Sequence, residues 1–133
     1  MSSTPQNEIL LSARLSVRYS GKQPVLRDVQ VEIRRGEVLG LVGQSGSGKS
    51  TLAMAILGLL DKKRALAEGT IRFQDSELLQ LSERELRTLR GHAVALVLQS
   101  PLSSLNPALK IRTQLREAWR AHATSGSTEC AAA

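Results

Sequence analysis

The chain has 133 residues, 41% of them hydrophobic and 23% charged, which fits one globular domain with one core and excludes a disordered chain. Its net charge of +6 is scattered along the sequence with only one Trp, one Tyr and one Phe, so no nucleic-acid platform is predicted. The longest apolar run, residues 53–60, is far shorter than the ~20 residues of a membrane-spanning helix. The first residues lack a secretory pattern, so we expect a cytoplasmic location.

Two kinds of strand are predicted along the chain. Residues 11–19 and 25–33 alternate apolar and polar side chains, as in strands with one buried face, and the GKQP turn between them favours antiparallel pairing. Residues 38–42 and 93–98 are apolar without alternation, which predicts strands buried on both faces, as in a parallel sheet. Residues 70–74 are predicted to form one further short strand.

Three helices are predicted between and after these strands. Residues 49–60 form a mostly apolar helix, and residues 111–122 form the last one. The middle helix begins at Ser82, which has capping-box spacing to Glu85, and ends near Gly91. The pattern as a whole predicts an α/β fold with an N-terminal antiparallel β-hairpin region and parallel core strands.

The segment GQSGSGKST matches the phosphate-loop pattern G-x-x-x-x-G-K-[ST], between a predicted buried strand and a predicted helix. Glycines let successive backbone N–H groups point at phosphate oxygens, and a helix start adds N–H groups and partial positive charge. Lys49 supplies a full charge to the β- and γ-phosphates, Ser50 offers a hydroxyl to Mg²⁺, and Thr51 donates to a phosphate oxygen. The predicted nucleotide-binding residues are Gly43, Gln44, Ser45, Gly46, Ser47, Gly48, Lys49, Ser50 and Thr51.

Tyr19 is the only tyrosine and lies at the end of the first predicted strand. A ring at this position would stack on a purine base, although a half-buried strand aromatic is an equally good interpretation of the spacing alone. No Asn-Lys-x-Asp run is present, which disfavours a guanine-specific site.

Two longer stretches resemble the ATP-binding subunits of ABC transporters. Residues 17–60 resemble that family's opening hairpin, phosphate loop and first helix, and VALVLQSPLSSLNP resembles its glutamine loop in the oligopeptide, dipeptide and nickel importer branch. The resemblance implies a P-loop NTPase-like fold that binds ATP and Mg²⁺, with Tyr19 on the adenine and Ser50 and Gln99 at the metal. It implies transporter membrane subunits and a second ATPase subunit as partners, hence a peripheral location at the inner face of the cell membrane.

Several motifs of that family are not found in the sequence. There is no Leu-Ser-Gly-Gly-Gln signature, no apolar strand ending in Asp-Glu and no later switch histidine. Asp61 imitates the acidic position but lies 12 residues beyond Lys49, about 18 Å along a helix. No catalytic residue is therefore assigned beyond the water or Mg²⁺ contact of Gln99 that the resemblance implies, and we expect the chain alone to hydrolyse ATP poorly or not at all.

The sequence is accordingly interpreted as the N-terminal part of an ABC nucleotide-binding domain, residues 1–123, followed by a patternless tail, residues 124–133. In this interpretation the chain is a truncated ATP-binding subunit of a peptide or nickel importer. Two alternatives remain: a non-functional fragment, or an unrelated P-loop protein such as a small kinase.

Overall fold

The computed structural model describes residues 8–100 and 105–122 and divides into two compact units, Met1–Thr88 and Leu89–Ala133. The predicted tail, residues 124–133, lies outside the described residues. The helices and strands, in chain order, are β1 Ile9–Tyr19, β2 Leu26–Arg34, α1 Lys49–Ile56, β3 Ala65–Phe73, β4 Ser76–Glu77, a single 3-10 turn Leu78–Gln80, α2 Glu83–Leu89 and α3 Ile111–His122.

The first unit is built on a four-stranded antiparallel sheet in the order β2-β1-β3-β4. β1 is central and pairs along its length with both neighbours, so that Ala13 lies between Val31 of β2 and Ile71 of β3. The predicted antiparallel pair is therefore confirmed. Strands so close in sequence pair through short turns, which is why local alternation was sufficient to predict them.

The core of this unit follows the two-residue period of its strands. Leu15, Val17 and Ile71 are the most completely buried side chains, at 1%, 0% and 0% exposure. They lie on one face of the sheet because alternate residues of a strand share a face. Other strand and helix residues complete the core, namely Leu11, Ala13, Leu26, Leu52, Ala55, Leu57, Phe73, Leu78 and Leu86.

A bulge in β2 is held by polar contacts to β1. Asp28 has a positive φ of 43°, and the β1–β2 register shifts between Leu15 and Val17. The Asp28 amide donates to Ser16 Oγ at 2.9 Å, and its carboxylate accepts from Arg14 Nε and Nη2 at 2.8 and 3.1 Å. The hydrogen bond from the Arg14 guanidinium lowers the pKa of Asp28 below its ordinary value.

The prediction of two parallel core strands is wrong for this structure. Residues 38–42 and 93–98 have no strand assignment, and Val38, Val42 and Val97 are 96%, 97% and 89% exposed. Within the described part of the chain, the one parallel pairing is an isolated bridge between residues 90 and 94. A strand needs a neighbouring backbone along its ladder, and the described residues give these segments no pairing beyond that single bridge, so their apolar composition alone does not make them strands.

Two element boundaries also differ from the prediction. α1 ends at Ile56 rather than at residue 60, because the amide of Leu59 turns back to donate to Met54 O at 2.8 Å. β3 begins at Ala65, several residues before the predicted strand, because pairing with β1 continues as far as Tyr19.

The other two helices agree with the sequence prediction. Glu85 Oε2 accepts from the Ser82 amide at 2.8 Å, and Ser82 Oγ accepts from the Glu85 amide at 3.3 Å, so the predicted capping box is formed. The hydrogen bond from the Ser82 hydroxyl lowers the pKa of Glu85. The last predicted helix has the observed bounds, Ile111–His122.

Candidate nucleotide-binding site

The phosphate loop is seated against the start of β2 through Gly48, the residue that precedes α1. Gly48 has a φ of +93°, and a Cβ built there would lie 2.6 Å from Leu26 Cδ2 and 3.3 Å from Val25 Cγ1. A larger residue would suffer both backbone strain and a clash, so this position requires glycine. The close contact fixes where α1 begins relative to the sheet.

The side chain of Lys49 folds back over the loop that precedes it. Its Nζ donates to Gly43 O at 2.6 Å, to Gln44 O at 2.7 Å and to Ser47 Oγ at 3.1 Å. An ammonium has three N–H donors, and all three point at loop oxygens. The loop therefore holds a full positive charge at its centre. An incoming phosphate would exchange with one of these oxygens at little cost because Gly43, Gln44 and Ser47 are exposed.

The first turn of α1 presents backbone donors. Its N-cap makes no side-chain hydrogen bond, and its first turn contains no acidic residue. The first intrahelical bond runs from the Leu52 amide to Gly48 O at 2.8 Å, so the N–H groups before Leu52 have no partner within the helix. Together with the Lys49 ammonium, these donors fit the phosphates of a nucleotide. The exposed Ser50 hydroxyl at this turn fits a Mg²⁺ ligand.

Tyr19 lies half-buried at the end of β1, on a cleft of about 640 Å³ in the same unit. None of residues 43–51 lines this cleft, and the segment that leads from β1 into β2 links the cleft to the loop. The amide of Val25 donates to Val17 O at 2.8 Å, and Val25 also contacts the position of Gly48. The segment between β1 and β2 thus lines the cleft at residues 20–24 and contacts the loop through Val25.

Gln99, the remaining predicted site residue, is exposed and belongs to the second unit. It follows residues 93–98, and its assignment to the metal stays a prediction.

Sequence reasoning missed a contact between α3 and the turn that precedes it. Gln114 of α3 donates through Nε2 to Asn106 O at 2.9 Å and accepts at Oε1 from the Asn106 amide at 2.8 Å. Asn106 Oδ1 also accepts from the Ala108 amide at 2.9 Å, closing a turn around Pro107. The Asn106-Pro107 pair is a turn signal in the sequence, but no local pattern marks Gln114 as the residue that binds this turn.

Asp61 lies in the turn between α1 and β3, beyond the end of the helix. Its Oδ1 accepts from the Lys63 amide at 3.0 Å, and its Oδ2 lies 3.6 Å from Arg64 Nε. These contacts give the carboxylate a structural role in the turn, in agreement with its exclusion from the nucleotide site. Across residues 8–100 and 105–122, no group of three or more His, Cys, Asp or Glu residues is placed to hold a metal ion.

A glycine loop that packs against the start of β2 at the buried Gly48, with the Lys49 side chain folded over it, defines a protein of the P-loop nucleotide-binding class. A family model described as "ABC transporter" matches residues 26–131, most of the chain. The chain belongs to the ABC transporter family. No described helix has the length and apolarity needed to cross a membrane.

Three relatives indicate the branch of the family. The chain is 39% identical to a probable peptide ABC transporter ATP-binding protein of Sinorhizobium fredii, over 92% of this chain and 38% of that protein. It is 37% identical to the oligopeptide transport ATP-binding protein OppD of Lactococcus lactis, over 88% and 36%. It is 39% identical to the dipeptide transport ATP-binding protein DppD of Haemophilus influenzae, over 81% and 34%. The chain thus spans little more than a third of the length of these relatives and is a partial ABC domain.

Proposed function

We propose that the chain binds Mg-ATP at residues 43–51. The observation that carries the proposal is the Lys49 ammonium, held at the centre of a glycine loop by three loop oxygens and next to the uncapped start of α1. The charge is positioned at the loop before the ligand arrives, and a phosphate oxygen would replace one of the three loop oxygens as its hydrogen-bond partner.

The remaining contacts of the nucleotide are assigned by the chemistry of the side chains. Tyr19 stacks on the adenine within its cleft, where a half-buried ring presents a face to a flat base. Ser50 supplies an oxygen ligand to Mg²⁺, which prefers such donors. The bound Mg²⁺ would neutralise phosphate charge. Thr51, half-buried in the first turn, donates its hydroxyl to a phosphate oxygen.

In its biological setting, we propose that the chain is the N-terminal part, residues 1–123, of the ATP-binding subunit of a peptide importer. The support is the family match together with the peptide, oligopeptide and dipeptide transporters named among its relatives. Such a subunit would act at the inner face of the membrane, with membrane subunits and a second ATPase subunit as partners. ATP hydrolysis would require the signature motif and the strand ending in Asp-Glu, which are not found in this sequence.

Equilibrium binding of a fluorescent ATP analogue in the presence of Mg²⁺ tests the site. Wild type should bind, and Lys49→Ala should weaken binding at least tenfold, because a charge-assisted contact to phosphate is lost. Lys110→Ala is the matched control, since Lys110 is an exposed lysine of the second unit, and it should bind like wild type. Equal, negligible binding by wild type and Lys49→Ala would instead support the non-functional fragment.

A further inference from the structure

The cleft beside Tyr19 is lined by cationic and neutral residues. Its lining residues come from the end of β1 and the turn after it, and from the turn before β3 and the start of that strand, and none of them is acidic. The two turns meet because the Ser20 amide donates to Arg64 O at 2.8 Å and Tyr19 pairs with Ala65. The charged lining side chains are Arg18, Lys22, Lys62, Lys63 and Arg64.

Two of these five cations are balanced by carboxylates and three are not. Arg18 lies 3.9 Å from Glu68, and Arg64 lies 3.6 Å from Asp61. Lys22, Lys62 and Lys63, here called the cationic rim, are exposed and have no ion-pair partner among the residues that the structure describes. The rim concentrates net positive charge on one cleft of a chain whose charge is otherwise scattered.

The segment between β1 and β2 links the cationic rim to the phosphate loop. The turn after β1 leads through Pro24, which lines the cleft, into Val25, which contacts the Gly48 position at the start of α1. A nucleotide whose base stacks on Tyr19, as proposed above, would lie in the cleft that the rim lines. Charges within about 10 Å of a polyanion attract it appreciably at moderate salt and hardly at all at 1 M.

We propose that the cationic rim recruits nucleotides by charge, so that the site selects polyanionic nucleotides and its affinity falls steeply with salt. The inference rests on the proposed nucleotide site and adds residues to it that the phosphate-loop motif does not contain. The rim residues act over distance, as electrostatic selectors, while Lys49 makes the direct phosphate contact.

The test compares Kd values for a fluorescent ATP analogue in 50 mM and 1 M KCl. The triple variant Lys22→Gln, Lys62→Gln, Lys63→Gln should raise Kd about fivefold at low salt and less than twofold at high salt, with a shallower dependence of log Kd on log salt. The control variant Arg72→Gln, Arg84→Gln, Arg87→Gln removes the same charge from exposed positions outside the cleft lining and should keep the wild-type slope. Adenosine, which is uncharged, should bind both triple variants like wild type.

A rim variant with the wild-type salt slope would overturn the inference while leaving the phosphate loop intact, because wild type and rim variant would both still bind ATP. Equal changes in the rim and control variants would also overturn it, since net charge alone would then explain the effect. Absence of ATP binding by wild type at both salt concentrations would refute the nucleotide site itself, and the rim's role with it.

Discussion

Apolar residues have opposite fates in two regions of the molecule. In β1 and β3, Leu15, Val17 and Ile71 are almost completely buried, whereas Val38 and Val42, just before the phosphate loop, are almost completely exposed. All five side chains are aliphatic, so the difference in their burial comes from how the backbone is paired. β1 has a neighbouring strand on each side, while residues 38–42 pair with no strand in the part of the chain that the structure describes. Burial in a sheet therefore depends on a partner strand and is not set by composition alone.

Truncating one residue in each region should give the largest contrast. Ile71→Ala removes a fully buried side chain and leaves a cavity, so it should lower the free energy of unfolding by about 2–5 kcal/mol. Val38→Ala removes a side chain that is 96% exposed and should change it by less than about 0.5 kcal/mol. Urea unfolding followed by circular dichroism measures both. Similar losses for the two variants would show that residues 38–42 are packed like β1.

The exposed valines should also govern self-association. Exposed apolar segments with unpaired backbone promote edge-to-edge contacts, which charged side chains oppose. The double variant Val38→Lys, Val42→Lys should therefore slow the growth of light scattering severalfold at equal concentration. Lys110→Ala, which alters charge without touching the exposed segment, serves as the comparison. Unchanged aggregation of the double variant would locate the association surface elsewhere.

A smaller effect is expected at the start of α2. Ser82→Ala removes the hydroxyl that accepts from the Glu85 amide, and loss of such a cap costs about 1 kcal/mol. Ser82→Thr keeps the acceptor and should restore most of the loss. Thermal unfolding of the three proteins separates these outcomes. If Ser82→Ala and wild type melt together, the capping box contributes nothing to stability.

The smallest effect is expected in the dependence of folding stability on pH at acidic pH. Arg14 lowers the pKa of Asp28, so the Asp28 carboxylate stabilises the folded state above its unfolded-state pKa, and that contribution disappears as pH falls through the lower folded-state pKa. Arg14→Gln should return the pKa of Asp28 toward its ordinary value and flatten this part of the profile. Carboxyl NMR titration measures the shift at the residue itself. An unchanged pKa would mean that the exposed pair does not form in solution.

Elements formed by residues close together in the sequence could be predicted, whereas elements that need a distant partner could not. The β1–β2 pair, the capping box at Ser82 and the glycine loop at 43–51 depend on contacts between nearby residues, and all were recognisable as patterns. The strands predicted at 38–42 and 93–98 needed a partner that no local pattern supplies. The cleft at Tyr19 could be predicted only in part, because the tyrosine is recognisable in the sequence but Lys62 and Lys63 reach it only through the pairing of β1 with β3.

Hydrogen–deuterium exchange with and without Mg-ATP tests the central claim most directly, because it reports on both regions and on the site at once. Amides of β1 and β3 should exchange slowly, those of residues 38–42 should exchange quickly, and Mg-ATP should slow exchange across residues 43–51 in wild type but not in Lys49→Ala. Loop amides that exchange at the same rate with and without Mg-ATP in wild type would contradict a phosphate loop built to bind a nucleotide.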